Sequence, residues 1–131
     1  MEEQIRNYQK ILKANPVDGP AFNALEELFQ GQDRWRDLVG LYESRLLHVQ
    51  DVAQLRTLHE KSGNVWLQKL KDLSKAKASY SQLLRLEPEH RAALEGLESV
   101  FEQRADHKRL AEILDRQAVA TSDSVERADL F

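Results

Sequence analysis

His59 and Glu60 stand side by side in a stretch of helical apolar periodicity. The same pair opens the zinc-protease helix, where two histidines four residues apart hold the metal and the glutamate acts as base. The second histidine is missing here. None of His48, His59, His90 and His107 has a histidine partner at that spacing. All four read as solvated or turn residues. The chain has no cysteine, which excludes disulfides, thiol catalysis and thiolate metal sites. Its 22 acidic residues follow helix-surface spacing, whereas paired-carboxylate catalysis needs two that face each other across a pocket. The serines lie in no nucleophile motif, and no glycine-rich phosphate loop occurs. The expectation is a protein with no catalysis, no cofactor and no metal.

Charge and composition narrow the partners. Nineteen Lys and Arg against 22 Asp and Glu leave a net charge of −3. General nucleic-acid binding draws its affinity from neutralised phosphates, so it is not expected. No run approaches the ~18 apolar residues of a membrane span. The start, MEEQIRNYQK, is too acidic and polar for a signal peptide, so a cytoplasmic setting is expected. Hydrophobic residues make up 41% and charged residues 31%, enough for a core and a solvated surface.

The elements that must position any site repeat along the chain. Tyr8 and Tyr80 are 72 residues apart, and so are Pro16 and Pro88, Leu25 and Leu97, Phe29 and Phe101, Leu38 and Leu110, and Asp51 and Asp123. Sliding residues 1–59 onto 73–131 gives ten identities, where ordinary composition gives roughly four. A fixed offset through most of a chain is the mark of a repeat architecture.

Apolar spacing predicts eight helices. The first covers 2–14, with Ile5, Tyr8, Ile11 and Leu12 on one face, and Asn15-Pro16 stops it. A second covers about 20–31, with Phe22, Leu25, Leu28 and Phe29 inward. Asp33 is read as the N-cap of a third, about 34–49, carrying Trp35, Leu38, Leu41, Tyr42 and Leu46. Asp51 with Gln54 opens a fourth, about 52–70, through Leu58 and Trp66. A fifth runs about 73–86 through Ala76, Tyr80 and Leu83 to Glu87-Pro88, and a sixth about 90–103 through Leu94, Leu97 and Phe101. Asp106 caps a seventh, about 107–120, with Leu110, Ile113, Leu114 and Ala118 inward. Asp123 with Glu126 repeats the capping signal and opens an eighth. The domain reads as a half-pair at 2–16, pairs at 19–50, 51–88 and 90–121, and the start of another at 123–131.

A helix pair of this length closed by proline resembles the tetratricopeptide repeat. The resemblance is clearest from Thr57 to Pro88, with Gly63 at the small helix-A position, Trp66 three residues on, and Ala76, Tyr80, Leu83 and Pro88 at helix-B spacing. Residues 19–46 and 91–118 follow the same pattern, so nearly the whole chain is covered. Glu26 and Glu98 depart from it at the small position, Gln50 stands near an expected proline, and the fourth helix is long. A half-a-tetratricopeptide variant or another helical-pair solenoid remains as an alternative. The resemblance implies an all-α, right-handed α-solenoid of antiparallel helix pairs, with the A helices lining a concave groove.

In that register the groove is lined by Asn23, Glu27 and Gln30, then Glu60, Asn64 and Gln68, then Glu95, Ser99, Glu102 and Gln103. The stripe is polar and acidic, suited to a basic or mixed peptide; an ordinary solvated helix face is the competing reading. The clamp for acidic tails known in the family needs cations at places held here by Glu27 and Glu95, which disfavours that ligand. The A-to-B turns carry Arg34, Arg36, Lys69, Lys71, Lys75, Lys77, Arg104, Lys108 and Arg109. They form either a ridge for an anionic partner or complements to helix C-termini.

Ile5, Tyr8, Ile11 and Leu12 at one end, and Val125, Leu130 and Phe131 at the other, are expected to lack a covering neighbour. The expected function is a protein-interaction scaffold, with end-to-end self-association as the alternative.

Overall fold

Aspartates start four of the helices and X-Pro steps end two. The computed structural model describes residues 1–129, with side chains through residue 120. Seven helices are described: α1 (Glu2–Ala14), α2 (Gly19–Gly31), α3 (Trp35–Leu46), α4 (Val52–Asn64), α5 (Leu73–Leu86), α6 (Arg91–Gln103) and α7 (His107–Asp129). The fold is all-α, 81% helix, with no strand among the described residues. Asp18, Asp51, Asp72 and Asp106 each accept a hydrogen bond from the backbone amide three residues on, at 2.9–3.2 Å. Asn15 and Glu87, each before a proline, are extended and end α1 and α5.

The A-to-B turns share one geometry. Asp33, Lys71 and Ala105 adopt φ of 55°, 57° and 55°. The amide that follows reaches back to close the helix: Arg34 N–H to the Phe29 carbonyl at 2.8 Å, and Asp106 N–H to the Phe101 carbonyl at 3.0 Å. The middle turn differs by one residue. A π-helical stretch, Val65–Lys69, continues α4, and Asp72 N–H bonds the Trp66 carbonyl at 2.8 Å. Asp33 is therefore not the cap of α3. It takes the left-handed conformation that short polar side chains tolerate, and Arg34 holds the cap position without a side-chain bond.

Each helix packs on the next in sequence, and the A-type helices α4 and α6 also touch directly. The core runs through the whole stack, from Ile5 through Phe22, Leu38 and Tyr42 to Tyr80, Leu97 and Ile113. At its centre the Tyr80 ring lies between two glycines, Gly63 of α4 and Gly96 of α6.

Three expectations change. Ile5 is 1% exposed and Tyr8 and Leu12 pack partly on the core, so of the α1 stripe expected to lack a cover only Ile11, at 43%, is exposed. Leu114 is 45% exposed although Tyr42, 72 residues earlier, is buried, because α4 covers α3 whereas α7 packs chiefly on α6. The break between a seventh and an eighth helix is absent, since α7 runs unbroken from His107 to Asp129 with Asp123 inside it. After α3 the equivalent turn is held by Val49, packed on the core. A cap residue starts a helix only where tertiary packing turns the chain out of the previous one. Leu130 and Phe131, and the Val125 side chain, lie outside the described residues.

Candidate protein-binding surfaces

The two faces of each A helix have opposite character. On α2, Phe22, Leu25 and Phe29 are buried, and Asn23, Glu27 and Gln30 are exposed on the other side. On α6, Leu94, Leu97 and Phe101 are buried, and Glu95, Glu102 and Gln103 are exposed. Ser99 is half-buried and accepts from Gln103 Nε2 at 3.1 Å. Gln68, in the π-helical stretch, is exposed.

The middle members of the expected groove have internal work. Asn64 Oδ1 accepts the Tyr80 hydroxyl proton at 2.7 Å. Glu60 is half-buried, its carboxylate 3.6 Å from His90 Nε2. His90 in turn caps α6, its Nδ1 accepting from Ala93 N–H at 3.3 Å. Beside Asn23, the α4 residues that border the same hollow are Ala53, Gln54, Thr57, Leu58 and Lys61, none of them in the expected stripe. The stripe residues of α2, and all but Ser99 of α6, are thus exposed, while α4, pinned between neighbours, offers less free surface.

A polar clasp closes the first two full helix pairs. Tyr42 donates to Glu26 at 2.7 Å as Tyr80 does to Asn64, in both cases to a residue 16 positions earlier. Glu26 also accepts from Lys61 Nζ at 3.0 Å, tying α2, α3 and α4 together. The glutamate at the small position is therefore a three-helix junction. Burial first, then the Glu26 hydrogen bond, pushes the Tyr42 hydroxyl far above its ordinary range. Burial first, then the charge of Glu60, pushes Tyr80 up to about 12. Burial lowers the pKa of His59.

Part of the basic edge is knitted into the fold. Arg34 bonds Glu2 and Asp37, each at 2.7 Å, and lies over the Phe29 ring. Lys69 sits 4.9 Å from the Trp35 centroid and Lys75 5.0 Å from that of Trp66. Arg104 donates to Ser74. These four cations meet acids, aromatic faces or a serine within the fold, contacts that neither reading of the edge names.

Two clefts open between successive B helices. The first, about 540 Å³, lies between α1 and α3 over Leu25 and Phe29 of α2. The second, about 470 Å³, lies between α5 and α7 over Leu97 and Phe101 of α6. They are the same cleft in two repeats: each lining residue of the second except Lys77 falls 72 positions after one of the first. The clefts were missed in sequence because groove residues were sought on the other face.

No protein-family model matches the chain. No curated protein matches it either. Its structure is similar to the crystal structure of MamA, a tetratricopeptide-like helical protein, with a TM-score of 0.52 and 14% identity over 93% of this chain and 89% of that one. The chain has a tetratricopeptide-like helical-repeat fold.

Among the described residues no three His, Asp or Glu side chains gather as a metal site. His48 and His107 are exposed, and His59 and His90 are half-buried at separate points. Among the described residues no helix is long and apolar enough to cross a membrane.

Proposed function

We propose that this chain is a non-catalytic protein-interaction scaffold, a degenerate relative of the tetratricopeptide family working in the cytoplasm. It binds a basic or mixed segment of a partner protein on the polar face of its A helices. One observation carries the reading: Glu27, Glu95 and Glu102 are exposed on α2 and α6, and none is ion-paired among the described residues. Carboxylates free of internal partners can meet Lys and Arg at little cost to packing. Asn23, Gln30, Gln68 and Gln103 supply amide bonds along the same stripe. Glu60, Asn64 and Ser99 hold it in place.

The test is a triple reversal, Glu27→Lys, Glu95→Lys and Glu102→Lys, against a labelled Lys/Arg-rich peptide. Affinity should collapse while circular dichroism stays unchanged. Unaltered affinity for a peptide that binds the wild type would remove the site from this face.

A second reading, end-to-end self-assembly, is favoured by exposed Ile11 on α1, a helix that packs on α2. Sedimentation at rising concentration separates the two, since Ile11→Glu should abolish association only in the second.

A further inference from the structure

The two repeat-related clefts share a shape and differ in charge. Between α1 and α3 the rim holds Lys13 and Arg45 with Asp37, and Ser44 and Gly40 are neutral. Between α5 and α7 the equivalents of Asp37 and Ser44 are Arg109 and Arg116. Arg85 replaces Lys13, Lys77 is added, and Glu112 is the one carboxylate among the lining residues. Four cations and one acid thus surround an apolar floor that includes Phe101 and Ile113.

These cations are not consumed by the fold. Among the described residues, Lys77 and Arg85 pair with no carboxylate. Arg109 keeps only a loose contact with Asp106, at 3.7 Å. Arg116 Nη2 donates to the Pro88 carbonyl at 2.9 Å, which fixes the guanidinium at the rim without neutralising it. Concentrated positive charge beside low-dielectric apolar walls focuses the field on what enters the cleft.

We propose that the α5–α7 cleft is a second binding site, opposite in charge to the A-helix face. It takes an acidic segment of another protein, whose carboxylates meet Arg85, Arg109 and Arg116 while an apolar side chain rests near Phe101. A purely anionic ligand would leave the apolar floor unused. The α1–α3 cleft is its repeat counterpart with two cations and one acid, and serves as an internal control.

The probe is a short fluorescein-labelled peptide of Asp and Glu interrupted by Leu and Phe, read by anisotropy at low salt on the whole chain. It should bind, and its amide counterpart with Asn and Gln should not. Arg109→Asp with Arg116→Ser rewrites the cleft as its sister. That variant, and separately Arg85→Glu, should each weaken binding about tenfold or more. Lys13→Glu in the sister cleft should change it little, and the triple A-helix reversal should not weaken it. Circular dichroism and melting check that each variant folds. Absence of binding overturns the proposal, and so does equal weakening by Lys13→Glu, which would mean unlocalised attraction. Displacement by inorganic phosphate as effective as by free peptide would reduce the site to a simple anion trap. An Arg109-dependent dimer would make the occupant a second copy. Either result refutes a partner segment.

Discussion

Gly96 presents its bare Cα to the ring of Tyr80, and a Cβ added there would overlap Cε2 and Cζ of that ring. Tyr80 cannot retreat, because on its other side an added Cβ at Gly63 would lie 2.7 Å from Cε1. Two helices approach one aromatic ring at backbone distance, which joins the second pair to the third. Gly96→Ala is expected to cost about 1–3 kcal/mol by overpacking. Gly40→Ala is the control: it is exposed in α3 with nothing within 4 Å of the added atom. Relief from glycine in a helix interior should stabilise by about 0.5–1 kcal/mol. Urea melts of both variants test the pair. Equal effects would deny the close approach.

The hydroxyl of the same ring sets a pH dependence. Tyr80→Phe removes the bond to Asn64 and should cost about 0.5–1.5 kcal/mol near neutral pH. Ionising Tyr80 is harder in the folded protein, where its pKa is about 12, than in the unfolded chain, where it is 10.0. The tyrosine's contribution is therefore complete below 10 and fades as pH rises toward 12. The gap between wild type and Tyr80→Phe should hold up to about pH 10 and narrow between about pH 10 and about pH 12. A constant gap would place the hydroxyl in water.

Local signals were legible in the sequence and shared surfaces were not. Asp51 and Asp106 could be read as caps because a cap depends on its own next three residues. Pro16 and Pro88 could be read as stops for the same reason. Asp123 carries the same signal inside an unbroken α7, where the outcome depends on what packs beside it. The π-helical stretch leaves no local signature, yet its extra residue aligns Asn64 rather than Gly63 with Glu26 against the B-helix tyrosine. Asn64, in groove register by sequence, is therefore a clasp to Tyr80. Glu27, Glu95 and Glu102 are exposed because helical period alone puts them opposite Leu25 and Leu97.

Ala105 holds φ of 55° in the last A-to-B turn, where a Cβ crowds the following carbonyl. The penalty for an L-residue there is about 1–2 kcal/mol, partly offset by the extra chain entropy of glycine. Ala105→Gly should raise stability by about 0.5–1 kcal/mol. Asp33→Gly, at the equivalent turn, should gain less because aspartate already tolerates this conformation. Thermal melts that rank the two the other way would count against a strained Ala105.

Ser62 offers the reverse kind of test, a buried group whose removal should help. It is 2% exposed in α4, and its hydroxyl has no hydrogen-bond partner. An unpaired buried hydroxyl costs about 1–3 kcal/mol in lost hydration. Alanine removes that cost, favours the helix slightly more and leaves only a small void. Ser62→Ala is expected to stabilise the protein by about 1 kcal/mol, read as a higher urea midpoint at unchanged slope. A serine in a helix can also turn its hydroxyl to the carbonyl four residues back, here Leu58. If it does so in solution, the variant will lose stability, and Ser62 will be a satisfied helix residue in place of a vacant donor in the core.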